Sequence, residues 1–157
     1  MPGAERNTYY VDLTERHIDA PPTLSVSSDH KAEVIYFVMD RYYDFMDLTN
    51  TSCLINYVAP DKKPYVYVVP YYDIYTYRNS HRMIIPWVVD GAATQKDGKV
   101  TFSIRFFRIE GEGPDAKLVY NLNTLPSETY VKKGLNVDLL NKEEVDFGTD
   151  AYSTIMQ

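Results

Sequence analysis

A single cysteine, Cys53, stands in the whole chain. One thiol excludes an internal disulfide and any cysteine-based zinc site, and within SCLINYV it reads as a small buried hydrophobe. Histidine is nearly as sparse: His17, His30 and His81 are scattered, with no HxH or HxxxH spacing to hold a metal. Positive charge is also in deficit. Sixteen Lys and Arg against 22 Asp and Glu leave a net charge of −6, which argues against broad contact with a nucleic-acid backbone. The start, MPGAERNTYYVDL, has no apolar h-region, so no secretory signal is expected. Uncharged runs such as Pro64 to Tyr72 fall far short of a membrane span, and Pro70 breaks that one, so no membrane contact is expected. Nucleophile motifs are missing as well, with no GxSxG and no phosphate-cradling glycine loop; the GEG at Gly111 lacks a following helix. These absences lead to the expectation of a protein with no enzymatic activity, no cofactor and no metal.

What is present is β-strand patterning. At 157 residues and 45% apolar content the chain suits one globular domain. Its organising stretch runs from Met83 to Ile109. Val100, Phe102, Ile104 and Phe106 alternate there with Thr101, Ser103 and Arg105, the period of a strand with one buried face. Pro86 limits full pairing of the preceding run, Met83 to Val89, and the loop between the two ends in an Asp-Gly. Glu33 to Met39 is apolar on both faces and reads as a central strand buried on both sides. Further strands are expected at Thr8–Leu13, Ser52–Val58, Tyr65–Val69, Leu118–Thr124 and Ser127–Lys132. Residues 1–23 read as an N-terminal arm with an edge strand, closed by the double proline of HIDAPPT. Residues 24–134 read as a β-sandwich domain, and 135–157 as an acidic C-terminal tail with at most a short helix. Short strands, frequent turns and no long amphipathic helix point to an antiparallel β-sandwich or barrel.

Two patterns are candidates for function. Asp40, Asp44 and Asp47 fall at near-helical spacing in DRYYDFMDLTNT; they are either a cation cluster or, the favoured reading, a turn in which Asp and Thr cap backbone amides. Tyrosine makes up 15 of 157 residues, about three times its usual share. A β core holds only some of these rings, and tyrosine favours interfaces. Tyr9, Tyr10, Tyr42, Tyr43, Tyr71, Tyr72, Tyr75 and Tyr77 are therefore the interface candidates. The alternative is a carbohydrate-binding β-sandwich module, with Trp87 or the tyrosines of PYYDIYTY as a stacking platform; the plain reading of Trp87 is core.

With the strands placed, the run from about Val34 to Leu135 resembles the N-terminal domain of the phage baseplate upper protein family. The likeness rests on VIYFVMDRYYDFMDLTNTSCLINYVAPDK, then IIPWVV, DGKVTFSIRFF and SETYVKKGL. The resemblance implies an immunoglobulin-like β-sandwich that docks a host-recognition module onto the hub of a phage tail. It implies other virion proteins (tail hub, neck, capsid or fibre) as partners, a homo-oligomer in assembly, and a virion location after synthesis in the host bacterial cytoplasm. Members of that family commonly continue into a linker and a trimeric helical section, whereas this sequence ends at Gln157. The expectation is therefore a freestanding version of the domain, or its reuse elsewhere on a virion.

Overall fold

The computed structural model describes residues 7–27, 29–77 and 80–134, without the side chains of residues 75–80. Met1 to Glu5 of the expected arm and the acidic tail 135–157 lie outside the described residues. In chain order the strands are β1 (Thr8–Asp12), β2 (His17–Ile18), β3 (Ser25–Val26), β4 (Glu33–Asp40), β5 (Tyr42–Tyr43), β6 (Met46–Asp47), β7 (Ser52–Val58), β8 (Pro64–Val68), β9 (Asp73–Tyr77), β10 (Ser80–Val89), β11 (Gly98–Glu110), β12 (Lys117–Asn123) and β13 (Ser127–Lys132). Eleven of them build two layers, while β5 and β6 pair only with each other. One runs β2-β1-β4-β10-β9; the other runs β3-β13-β11-β7-β8, with β12 also paired to β11. The all-β sandwich expected from the alternation is the fold.

The strict alternation on β11 decides which face turns inward. Val100, Phe102, Ile104 and Phe106 are all buried, as are Cys53, Ile55 and Tyr57 on β7 beside them. The register places Ile104 opposite Ile55 and Phe106 opposite Cys53, so two rows of apolar side chains meet on the inner face. From the other sheet come Ile35, Phe37 and Met39 on β4, and Met83, Ile85 and Trp87 on β10. β4 is central as expected, flanked by β1 and β10. The expectation of two buried faces holds for one: Val34, Tyr36 and Val38 are half-buried, because in a two-layer sandwich the outer face of a central strand meets solvent.

Two pairings depart from the antiparallel pattern. β1 lies parallel to β4, with Thr8 opposite Tyr36, and β3 lies parallel to β13, with Ser25 opposite Val131. Both arise from the N-terminal segment, which belongs to one sheet at β1 and β2 and to the other at β3. The double proline, Pro21 and Pro22, occupies the crossover, where no ladder donors are needed. Within residues 7–23, Val11, Leu13 and Ile18 are buried in the core, so this stretch is part of the sandwich.

Between β10 and β11, where the sequence predicts a loop, the chain makes one helical turn, α1 (Gly91–Thr94). Asp90 caps it, its carboxylate accepting from Ala92 N–H at 3.2 Å, and His30 Nδ1 accepts from Gly91 N–H at 2.7 Å. The Asp-Gly signal marks the re-entry: Gly98 has φ +135°, and a Cβ there would meet Pro60 at 3.2 Å. Pro86 sits two residues past Ile84, where the pairing of β9 with β10 ends, so its missing N–H falls where one flank of the strand is already unpaired.

The inward and outward rows of β11 give a direct test. Phe102→Ala should cost about 3–5 kcal/mol of unfolding free energy by opening a cavity between the sheets. Phe107→Ala, on the half-buried outer face, should cost about 1 kcal/mol. Urea denaturation of both variants measures the difference; equal losses would contradict the assignment of faces.

Candidate interaction surfaces

The Asp-rich loop folds as a small hairpin. β5 and β6 pair Tyr42 with Asp47 and Tyr43 with Met46, leaving Asp44 and Phe45 as a two-residue loop. Asp44 takes φ 53°, a left-handed conformation that aspartate tolerates and that tight hairpin loops use. Leu48, in a 3-10 turn spanning Leu48–Asn50, is buried and anchors the hairpin to the core. Arg41 at the hairpin's base grips Asp47 with two hydrogen bonds, Nε to Oδ1 at 3.0 Å and Nη2 to Oδ2 at 2.8 Å. Asp47 Oδ1 also accepts from the Thr49 backbone at 3.1 Å and the Thr49 hydroxyl at 2.7 Å, capping that turn. The Arg41 guanidinium, with help from Thr49, holds the Asp47 carboxyl at about 2, below its ordinary 3.8.

Two of the three aspartates have basic partners. Asp47 is consumed by Arg41 and Thr49, and Asp40 lies 3.7 Å from Arg82 Nε. Among the described residues no group of three or more His, Cys, Asp or Glu side chains could hold a metal. The favoured capping reading is the one seen for Asp47.

The hairpin presents Phe45 with a relative exposure of 106%, wholly outside the fold. Beside it a shallow hollow is lined by Arg16, Tyr43, Met46, Tyr120 and Leu122. Arg16 stacks on the Tyr43 ring at 5.5 Å and donates to the Asn123 carbonyl at 2.8 Å, which ties the hairpin to β12. The tip is therefore exposed and braced together.

The tyrosine candidates divide. Tyr42 is exposed at the hairpin, with Arg41 over its ring at 5.2 Å and His81 edge-on at 6.1 Å. Tyr10 is exposed under the Arg82 guanidinium at 5.1 Å. Burial, then the nearby Asp40, pushes its phenol pKa up. Tyr71 is exposed as well. Tyr9 and Tyr43 are half-buried and pack against the core. Tyr72 is also half-buried: its hydroxyl donates to the Thr51 carbonyl, and burial pushes its pKa up to about 12. Tyr75 and Tyr77 lie on β9, with side chains outside the described residues. Trp87, the other ring proposed for sugar stacking, is 1% exposed and packs on Phe37, Tyr57 and Phe102, so it offers no face to a ligand.

Sequence reasoning missed two exposed apolar features of the described residues, Phe45 and the valines of β8. Val66 and Val68 are 57% and 66% exposed on the outer face of a strand that ends its sheet. Cys53, by contrast, is buried as expected, and desolvation pushes its thiol pKa up, away from reactivity.

No helix among the described residues is long and apolar enough to cross a membrane. The Arg41–Asp47 clasp gives a pH prediction. Because folding depresses the Asp47 pKa from 3.8 to about 2, its contribution is complete above pH 4 and is lost as pH falls toward 2. Asp47→Asn should flatten that part of the acid-unfolding curve and, at neutral pH, speed amide exchange at Thr49. An unchanged acid limb in the variant would remove Asp47 from the account.

No protein-family model matches this chain, and no curated protein matches it in sequence. Among solved structures, the N-terminal domain of ORF48 of phage TP901-1 aligns over 80% of this chain and 97% of that chain, with a TM-score of 0.46 and 12% sequence identity.

Proposed function

We propose that this chain is a structural protein of a phage virion, an adaptor in the tail, baseplate or another surface assembly that docks to other virion proteins without catalysis. The observation that carries docking is Phe45, a large aromatic held fully in solvent at the tip of a braced hairpin. A solvent-facing phenylalanine contributes nothing to the folding of its own chain, while a rigid aromatic knob suits the buried centre of an interface. The clasp at its base means that little conformational freedom is lost on binding. Exposed Tyr42 and Tyr10, each under an arginine, extend the same kind of surface. The virion setting, the immunoglobulin-like assignment and the assembly into oligomers follow from the motifs of Val34 to Leu135 and their resemblance to the baseplate upper protein family.

Phe45→Ser tests the docking. Stability should stay within about 0.5 kcal/mol of the parent. Binding to the virion proteins encoded by neighbouring genes, measured by interferometry, should weaken at least tenfold, the effect of losing a central aromatic anchor. Unchanged affinity in a folded variant would remove the hairpin from the interface.

A further inference from the structure

The two sandwich rims are finished differently. On one side the sheets end in β2 and β3, each two residues long, and in β12, which borders the far half of β11 and opens on Lys117. On the other they end in β8 and β9, each five residues long. Exposed edges are usually blunted by charge, proline or brevity. β9 opens on Asp73, but β8 reads PYVYV and carries no charge.

We infer that a second copy of this chain adds to the edge of β8 that no described strand covers, in antiparallel fashion, joining two sheets across a twofold axis. The inference deepens the docking reading above by naming one partner and its surface.

The backbone direction carries the argument. Val69 N–H donates to Cys53 C=O at 3.0 Å, and Lys63 C=O accepts from Ala59 N–H at 3.1 Å, so residues 63, 65, 67 and 69 turn their polar groups toward β7. The N–H and C=O of Val66 and Val68 therefore point outward, with the C=O of Pro64 beside them. Antiparallel registers centred on Val66 or on Tyr67 give each outward donor a carbonyl on the second copy. In the first, Val66 pairs with Val66 and Val68 N–H reaches Pro64 C=O; in the second, Val66 and Val68 pair with each other. Pro64, which protects an edge by lacking a donor, protects nothing here because only its carbonyl is needed.

Side chains agree with the backbone. Val66 and Val68, more than half exposed in the single chain, would meet apolar neighbours across the axis. Charge does not oppose the register centred on Val66, where Lys62 and Lys63 fall level with Pro70 and Val69 of the second copy, both uncharged. The lysine pairs of the two copies stay on the order of 20 Å apart at about 3.4 Å per residue. A twofold contact also closes on itself, so the β8 edge is used up within the pair.

The full chain should sediment as a concentration-dependent dimer. Val66→Lys, which places a charge beside its own symmetry mate or beside Val68, should weaken dimerisation at least tenfold. Val66→Pro, which deletes an outward donor and spares the ladder to β7, should do the same, with circular dichroism unchanged in both. Phe45→Ser should leave the mass unaltered. A parent chain that stays monomeric at every concentration, or variants that dimerise as tightly as the parent, would overturn the inference. So would a monomer in which Val66→Lys abolishes binding of a virion protein, since that assigns the edge to a foreign strand. A monomer that still binds virion proteins through Phe45 leaves the docking reading standing; a dimer that binds none of them removes docking and keeps the edge.

Discussion

Four aromatic rings between the sheets hold this molecule together. Trp87 on β10 lies 5.3 Å from Phe102 on β11 and 5.4 Å from Tyr57 on β7, while Phe37 on β4 lies 5.7 Å from Phe102. Each ring comes from an inner strand, two from each sheet, so the cluster clamps the layers where both are most fully paired. Its polar handle reaches outward. Tyr57 donates its hydroxyl to Asp90, the residue that caps the one-turn helix between β10 and β11, so the clamp also fixes that connection. Burial and the adjacent Asp90 carboxylate both push the Tyr57 phenol up and keep it protonated as a donor.

From that clamp the order of the surface follows. β4 is held by the core through Phe37 and Met39, and at its end it delivers Arg41 to the hairpin. Arg41 N–H donates to the His81 carbonyl and its own carbonyl accepts from Leu48, so the hairpin is tied to β10 and to the core before its side chains act. The bidentate grip on Asp47 then sets the direction of the tip. Phe45 is exposed because every neighbour in DRYYDFMDL is committed elsewhere: Leu48 to the core, Asp47 to Arg41 and Thr49, Tyr43 to Arg16.

What the sequence disclosed depended on pattern length. β7 and β13 match their expected spans, and the inner row of β11 was legible residue by residue, because alternation over six or more positions admits one face assignment. The pair β5 and β6 and the turn Gly91–Thr94 are two to four residues long, too short for any period to show. The tyrosines of the hairpin were found by composition, but Phe45 was not, since nothing local separates an exposed Phe from a core one in YYDFMD. The openness of β8 was hidden for another reason. PYVYV is apolar on both faces, and whether such a strand is central or terminal depends on sheet order, a property of residues far away in the chain.

The contrast between the rims follows from how the N-terminal segment is used. By crossing between sheets at Pro21 and Pro22, it lays β1 and β2 along one sheet and β3 along the other, ending that side on two-residue strands except where β12, opened by Lys117, borders β11. The same segment cannot serve the far rim, where β8 passes directly into β9 through residues 69–72 and each sheet stops on a full-length strand. Opening β9 with Asp73 makes that edge costly to pair, because a charge facing a new strand must be desolvated. β8 has no such device. An uncharged edge with donors and acceptors arrayed outward is a hazard in a free monomer and an asset in a subunit that meets a partner, and pairing of two β8 strands turns the one into the other.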